Sequence, residues 1–147
     1  MSSGRRTARR HAVFMLYQQD LLGITPEAAL GHHEDADLDE YASTLVMGVA
    51  RNREEIDAIL GEHVSGWSVA RLGVLERSIL RLATYELLWM PEVPAAVAID
   101  EAVALAKRFC SDEAGALVNG VLGSIVSLQD ARETKARDTT RGGDVGG

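Results

Sequence analysis

The chain is poor in the residues that build covalently or metal-braced folds. Its 147 residues include one cysteine, Cys110, and four histidines. A lone cysteine excludes an internal disulfide and suits a reducing, cytoplasmic compartment. His32 and His33 adjoin in an acidic stretch, while His11 and His63 are remote in sequence. No histidine pair at i, i+4 and no CxxC spacing is present, so no metal site is expected, and Cys110 has no positioned base that would make it a nucleophile. Apart from the pairs Gly142-Gly143 and Gly146-Gly147 in the tail, glycines fall singly at helix ends or inside apolar stretches, which leaves no phosphate-cradling loop and no Rossmann fingerprint. An enzyme is therefore not expected, and neither is a cofactor. No apolar run approaches the roughly 20 residues that span a bilayer. His11, Gln18, Gln19 and Asp20 interrupt any apolar segment behind the first arginines, so a signal peptide is not expected either.

Prolines number three, and no window alternates apolar and polar residues with period two. With Leu, Ala, Glu and Arg abundant, the sequence reads as all-α, a single domain with a sizeable core. The spacing predicts helices over about 7–22 (stopping at Gly23), a short one after Thr25-Pro26, then 38–51, one capped by Asn52 with Glu55 as capping-box partner, 73–90, 95–109 and 112–128. The stretch 31–40 reads as an acidic loop, Ser65-Gly66 as a break, and Ser68 as the start of a single turn. Asn119-Gly120 is a hairpin cue, but its flanks do not alternate; "ALVNGVLGSIV" reads as a buried, central helix in which Gly120 admits a neighbour closely. Residues 129–147 have almost no core-forming side chains and read as a disordered tail.

The net charge of −7 hides an asymmetry. Residues 1–19 carry Arg5, Arg6, Arg9 and Arg10 and no acid, while the rest of the chain is strongly acidic. An acidic body repels polyphosphate in general, so a confined basic patch points to a limited nucleic-acid contact. At 100° per residue, Arg6, Arg10, Val13 and Tyr17 share one stripe, and Ala8, Ala12, Met15 and Leu16 lie mostly on another facing the core. Guanidinium groups fork onto phosphates and an aromatic ring can stack an unpaired base, which suits single-stranded RNA. The alternative is a solvated arginine run with Tyr17 as half-buried packing. Cations at a helix N-terminus oppose the macrodipole, which favours the contact reading. In "VLERSILRLATYELLWM", Leu75, Ile79, Leu82 and Glu86 follow one stripe, and Trp89 or Met90 is either core or part of a protein-facing surface.

Five ordered blocks, "RRTARRHAVFMLYQQD", "GVARNREEIDAIL", "GWSVARLGVLERSILRLATYELL", "VPAAVAIDEAVALAKRF" and "LVNGVLGSI", resemble the NusB family of bacterial transcription antitermination factors, in its actinobacterial form, over residues 5–128. The resemblance implies two small packed helical bundles, about seven helices in all, and no catalysis. It implies binding to the single-stranded boxA element of nascent ribosomal RNA together with NusE, a small-subunit ribosomal protein. Other Nus factors and RNA polymerase are then indirect partners. Carried over by position, Arg5, Arg6, Arg9 and Arg10 fall on the RNA-contacting segment with Tyr17 on the same helix. Glu113 matches an acidic position near the RNA and partner surface, and Glu76 one on the NusE-facing surface. Leu117 stands where many members have phenylalanine, so the resemblance offers no stacking ring there. Some relatives dimerise, so the alternative is a homodimeric interaction module whose arginine surface is covered. NusB-like domains also precede some RNA methyltransferases, an activity this sequence, without the glycine motif, is not expected to have.

Overall fold

The helix that organises the molecule is the one with the fewest exposed positions. In a computed structural model describing residues 2–31, 40–64, 69 and 72–145, seven helices appear: α1 (Ser2–Leu22), α2 (Pro26–Gly31), α3 (Glu40–Arg51), α4 (Arg53–His63), α5 (Val74–Trp89), α6 (Ala95–Phe109) and α7 (Asp112–Val145). No strand occurs among the described residues. The bulk of the 31–40 loop, the Ser65-Gly66 break and the Ser68 turn lie outside them. Helix α5 buries every residue from Ser78 to Thr84, and Glu86 as well. It packs against α1, α3, α4, α6 and α7. Helices α1, α2 and α3 form one bundle and α4 to α7 the other, with α5 lying along the seam.

This corrects the sequence reading, which put the central role on the last helix. Helix α7 instead buries a single face, Ala114, Val118, Val121, Leu122 and Ile125, and leaves Glu113, Ala116, Asn119 and Ser124 exposed. The expected close approach at Gly120 does not exist: a Cβ there would meet nothing within 4 Å. Close approaches occur instead at Gly73, under the Glu76 carboxylate, and at two glycines inside helices. Gly48 of α3 faces the ring of Tyr85, and buried Gly115 receives the alkyl stem of Lys107. Helix α7 also continues past Leu128 to Val145, with residues 130–137 all exposed. Extending an existing helix needs no new nucleus, which is why a segment without core residues can follow it.

The punctuation follows local chemistry. Gly23 ends α1 at φ 66°, a left-handed conformation suited to glycine. Thr25 Oγ1 accepts from Ala28 N at 3.1 Å, and Ser111 Oγ accepts from Ala114 N at 3.0 Å, capping α2 and α7. The capping box expected at Asn52 and Glu55 is replaced by another arrangement. Asn52 Nδ2 donates back to Gly48 O at 2.8 Å, closing the end of α3 instead of the start of α4. Pro91 follows α5 and Pro94 sits at the N-cap of α6.

An ion-pair cluster fastens the far end of α1. Asp20 accepts from Arg53 (3.2 Å), Arg77 (2.6 Å) and Arg81 (3.2 Å), and Arg81 also binds Asp57 through two bonds of 2.8 Å. Burial alone would raise the Asp20 pKa, but the bonds and charges of Arg77, Arg81 and Arg53 outweigh it and hold the carboxyl below its ordinary value. A depressed folded-state value stabilises above the unfolded pKa and is lost as pH falls through the lower one. Asp20→Asn should therefore lower the urea midpoint at neutral pH, with the gap from the parent protein closing below about pH 4. Gly120→Ala should stabilise by about 0.5–1 kcal/mol, since helix propensity improves and nothing clashes. Gly48→Ala should instead cost about 1–3 kcal/mol by displacing Tyr85. Thermal melts of the two variants check the opposite signs.

Candidate nucleic-acid interface

Helix α1 divides its arginines between the interior and the surface. Arg9 follows Ala8 and precedes Ala12, and with Val13 and Leu16 it is spaced i, i+4, i+7 on the buried side. Only 4% of Arg9 is exposed. Its Nε donates to both oxygens of Glu86, at 2.9 and 3.0 Å, and its Nη2 lies 2.9 Å from Oε2. The hydroxyl of Tyr41 donates to the same Oε2 at 2.6 Å. One carboxylate thus joins α1, α3 and α5. Burial opposes the charge on Arg9, yet Glu86 and Tyr41 raise its pKa above the usual guanidinium value. Burial and the neighbouring Glu86 push the Tyr41 phenol up to about 12, so it stays protonated and donating.

The expected surface role of Arg9 is corrected accordingly: its guanidinium is consumed in the core. Val13, expected on the outer stripe, is also buried, because the inward face of α1 is broader than the pattern suggested. The remaining three arginines reach the surface in two directions. Arg5 is exposed and lies over the Tyr41 ring, 4.8 Å from its centroid. Arg6 and half-buried Arg10 face α6 across a groove of about 530 Å³, which Arg108, Asp100 and Glu101 also line. Arg6 Nε donates to Glu101 Oε1 at 3.0 Å.

Beyond Arg10 the same face becomes aromatic. Phe14 meets Phe109 edge to face, with centroids 5.0 Å apart, and Arg108 lies over Phe109 at 4.9 Å. Tyr17 is half-buried on the next turn of α1, and exposed Glu113 stands in the first turn of α7, just past the end of α6. Leu117 is half-buried and packs on the core. Glu76 is half-buried at the start of α5, where its carboxylate folds back over Gly73. It also adjoins Cys110, whose thiol burial and the Glu76 charge push up to about 11, which keeps it in the thiol form at neutral pH. The structure thus gathers Arg6 and Arg10 into one groove, sets Arg5 on the other side of α1, and removes Arg9.

Sequence reasoning missed Arg108, Phe109 and Phe14. A basic-aromatic "KRF" at the close of α6 was the available signal, but cations at a helix C-terminus are also what the macrodipole favours. Among the described residues no cluster of three or more histidine, cysteine or acidic groups could hold a metal, and no helix is long and apolar enough to cross a membrane.

The chain matches the family model described as the NusB family over residues 6–127. It is 44% identical over 147 residues to the transcription antitermination protein NusB of Saccharopolyspora erythraea, with 97% of each chain covered. The NusB of Rubrobacter xylanophilus is 47% identical over 120 residues, 80% of this chain and 86% of that one. Among solved structures, a crystal structure of antitermination factors NusB and NusE in complex with dsRNA is similar with a TM-score of 0.77. It is 34% identical and covers 87% of this chain and 99% of that one.

Removing one member of the buried pair should be severe. Glu86→Ala, which strands the Arg9 charge, is expected to lower stability by about 3–5 kcal/mol, whereas Arg9→Met combined with Glu86→Leu should cost far less. Urea denaturation of the two variants measures the contrast.

Proposed function

The chain belongs to the NusB family, and from that membership we propose that it is an RNA-binding transcription antitermination factor, a binding protein and not an enzyme. With the ribosomal protein NusE it binds the boxA element of nascent ribosomal RNA, and through that complex it joins other Nus factors on RNA polymerase and supports processive transcription. Its place is then the cytoplasm, with the transcription machinery.

The observation that carries this reading is the division of labour on α1. Arg9 is locked inside by Glu86, which fixes the helix, while Arg5, Arg6 and Arg10 are presented outward from it. Guanidinium groups held on a rigid element meet phosphates at a smaller ordering cost than groups on a loose tail. Phe14, Phe109 and Tyr17 extend the arginine face with rings, the chemistry that an unpaired base stacks on. We assign RNA contact to Arg5, Arg6, Arg10 and Tyr17, with Glu113 and Leu117 at its edge near α7, and the NusE-facing surface to the region of Glu76.

The related structure contains dsRNA, whereas stacking rings favour single strands. Arg6→Ala with Arg10→Ala should weaken binding of a short single-stranded boxA RNA at fixed low salt without lowering the melting temperature. The Arg9→Met, Glu86→Leu variant, if folded, should keep its affinity. A duplex of the same sequence should bind less tightly than the single strand. Full affinity in the double alanine variant would remove α1 from the interface.

A further inference from the structure

The α1–α6 groove holds more negative charge than an anion site calls for. Its three arginines, Arg6, Arg10 and Arg108, share it with Asp100 and Glu101, leaving a formal balance of a single positive charge. Arg10 and Arg108 have no ion-pair partner among the described residues. Arg6 does: its side chain is 71% exposed, that of Glu101 18%, and the bond between them uses Nε alone. The terminal nitrogens of Arg6 make no bond to this carboxylate, so the guanidinium fork is still open to another anion. An ion pair this exposed contributes little to folding. The Glu101 carboxylate acts instead on whatever enters the groove.

Building on the RNA reading above, we infer that Glu101 limits the α1–α6 groove to one backbone phosphate. One phosphate satisfies the net charge of the groove. A second would enter an already neutral site, with the Glu101 carboxylate close by and unfavourable to it. Arg6 thereby keeps an open fork for a phosphate while Glu101 offsets its charge in the sum over the groove, and a densely charged polyanion gains no more from the groove than a single strand passing through it. The acidic residue sets selectivity by subtracting attraction.

The test is Glu101→Gln, whose side-chain carbonyl still accepts the Arg6 Nε–H while the charge is gone. Binding of a short single-stranded boxA RNA, with and without NusE, is titrated across a salt series. Affinity at low salt is expected to rise about three- to tenfold, and the slope of log affinity against log salt to steepen by about 0.7, the contribution of one further phosphate on a single strand. Glu62→Gln is the control. It removes the same charge from an exposed position on α4, which packs on α3, α5 and α7, and should leave the slope unchanged. Unchanged or weaker binding by Glu101→Gln with an unaltered slope overturns the inference, as does an equal gain in the Glu62 variant. A parent protein that fails to bind the RNA in either condition overturns the RNA reading itself, and the inference with it.

Discussion

A guanidinium buried against a carboxylate decides where everything else in this protein can sit. Arg9 and Glu86 are removed from water together, and each is tolerable only because the other is present. The bidentate geometry fixes the rotation of α1 about its axis as well as its distance from α5. Tyr41, bonding the same carboxylate, fixes α3 to both. With α1 set in rotation by a polar contact that has a single good solution, Arg6 and Arg10 are turned toward α6 and Arg5 toward α3. Hydrophobic burial of Ala8, Ala12 and Leu16 alone, being non-directional, would specify that rotation less sharply.

The helical class, most helix boundaries and the basic character of α1 could be read from the sequence because they depend on local spacing and caps. The interior role of Arg9 was partly legible too. Arg9, Val13 and Leu16 share a face, and Glu86 continues the apolar stripe of Leu75, Ile79 and Leu82. Two opposite charges inside apolar stripes are natural partners, but their sequence separation of 77 hides the pairing from any local pattern. The groove was not legible at all, since Asp100, Glu101 and Arg108 acquire their meaning from the packing of α6 beside α1. Periodicity identifies which face of a helix is buried and says nothing about which helix it meets. The same gap explains the misplaced centre: α7 has the more apolar composition at its start, yet α5 is enclosed because its neighbours converge on it, and that enclosure is paid for with ion pairs at Asp20, Arg77 and Arg81.

Charge on this molecule is therefore organised at two depths. Inside, positive and negative groups are matched to the atom and hold helices in register. Outside, they are deliberately uneven: a few arginines project from one edge of an acidic body, and the aromatic pair Phe14–Phe109 continues that edge toward α7. An acidic surround lowers the general attraction for polyphosphate and confines it to the place where rings and guanidinium groups coincide.

The buried pair also shapes what mutation can reach. Two apolar residues of similar volume could fill the same space, but every route to them through one substitution at a time passes a chain with a lone charge in its core. The intermediate is less stable than either end, so the ionic solution is held in place by the valley around it as much as by its own contribution. Without that loss of stability, its two halves can only be exchanged together.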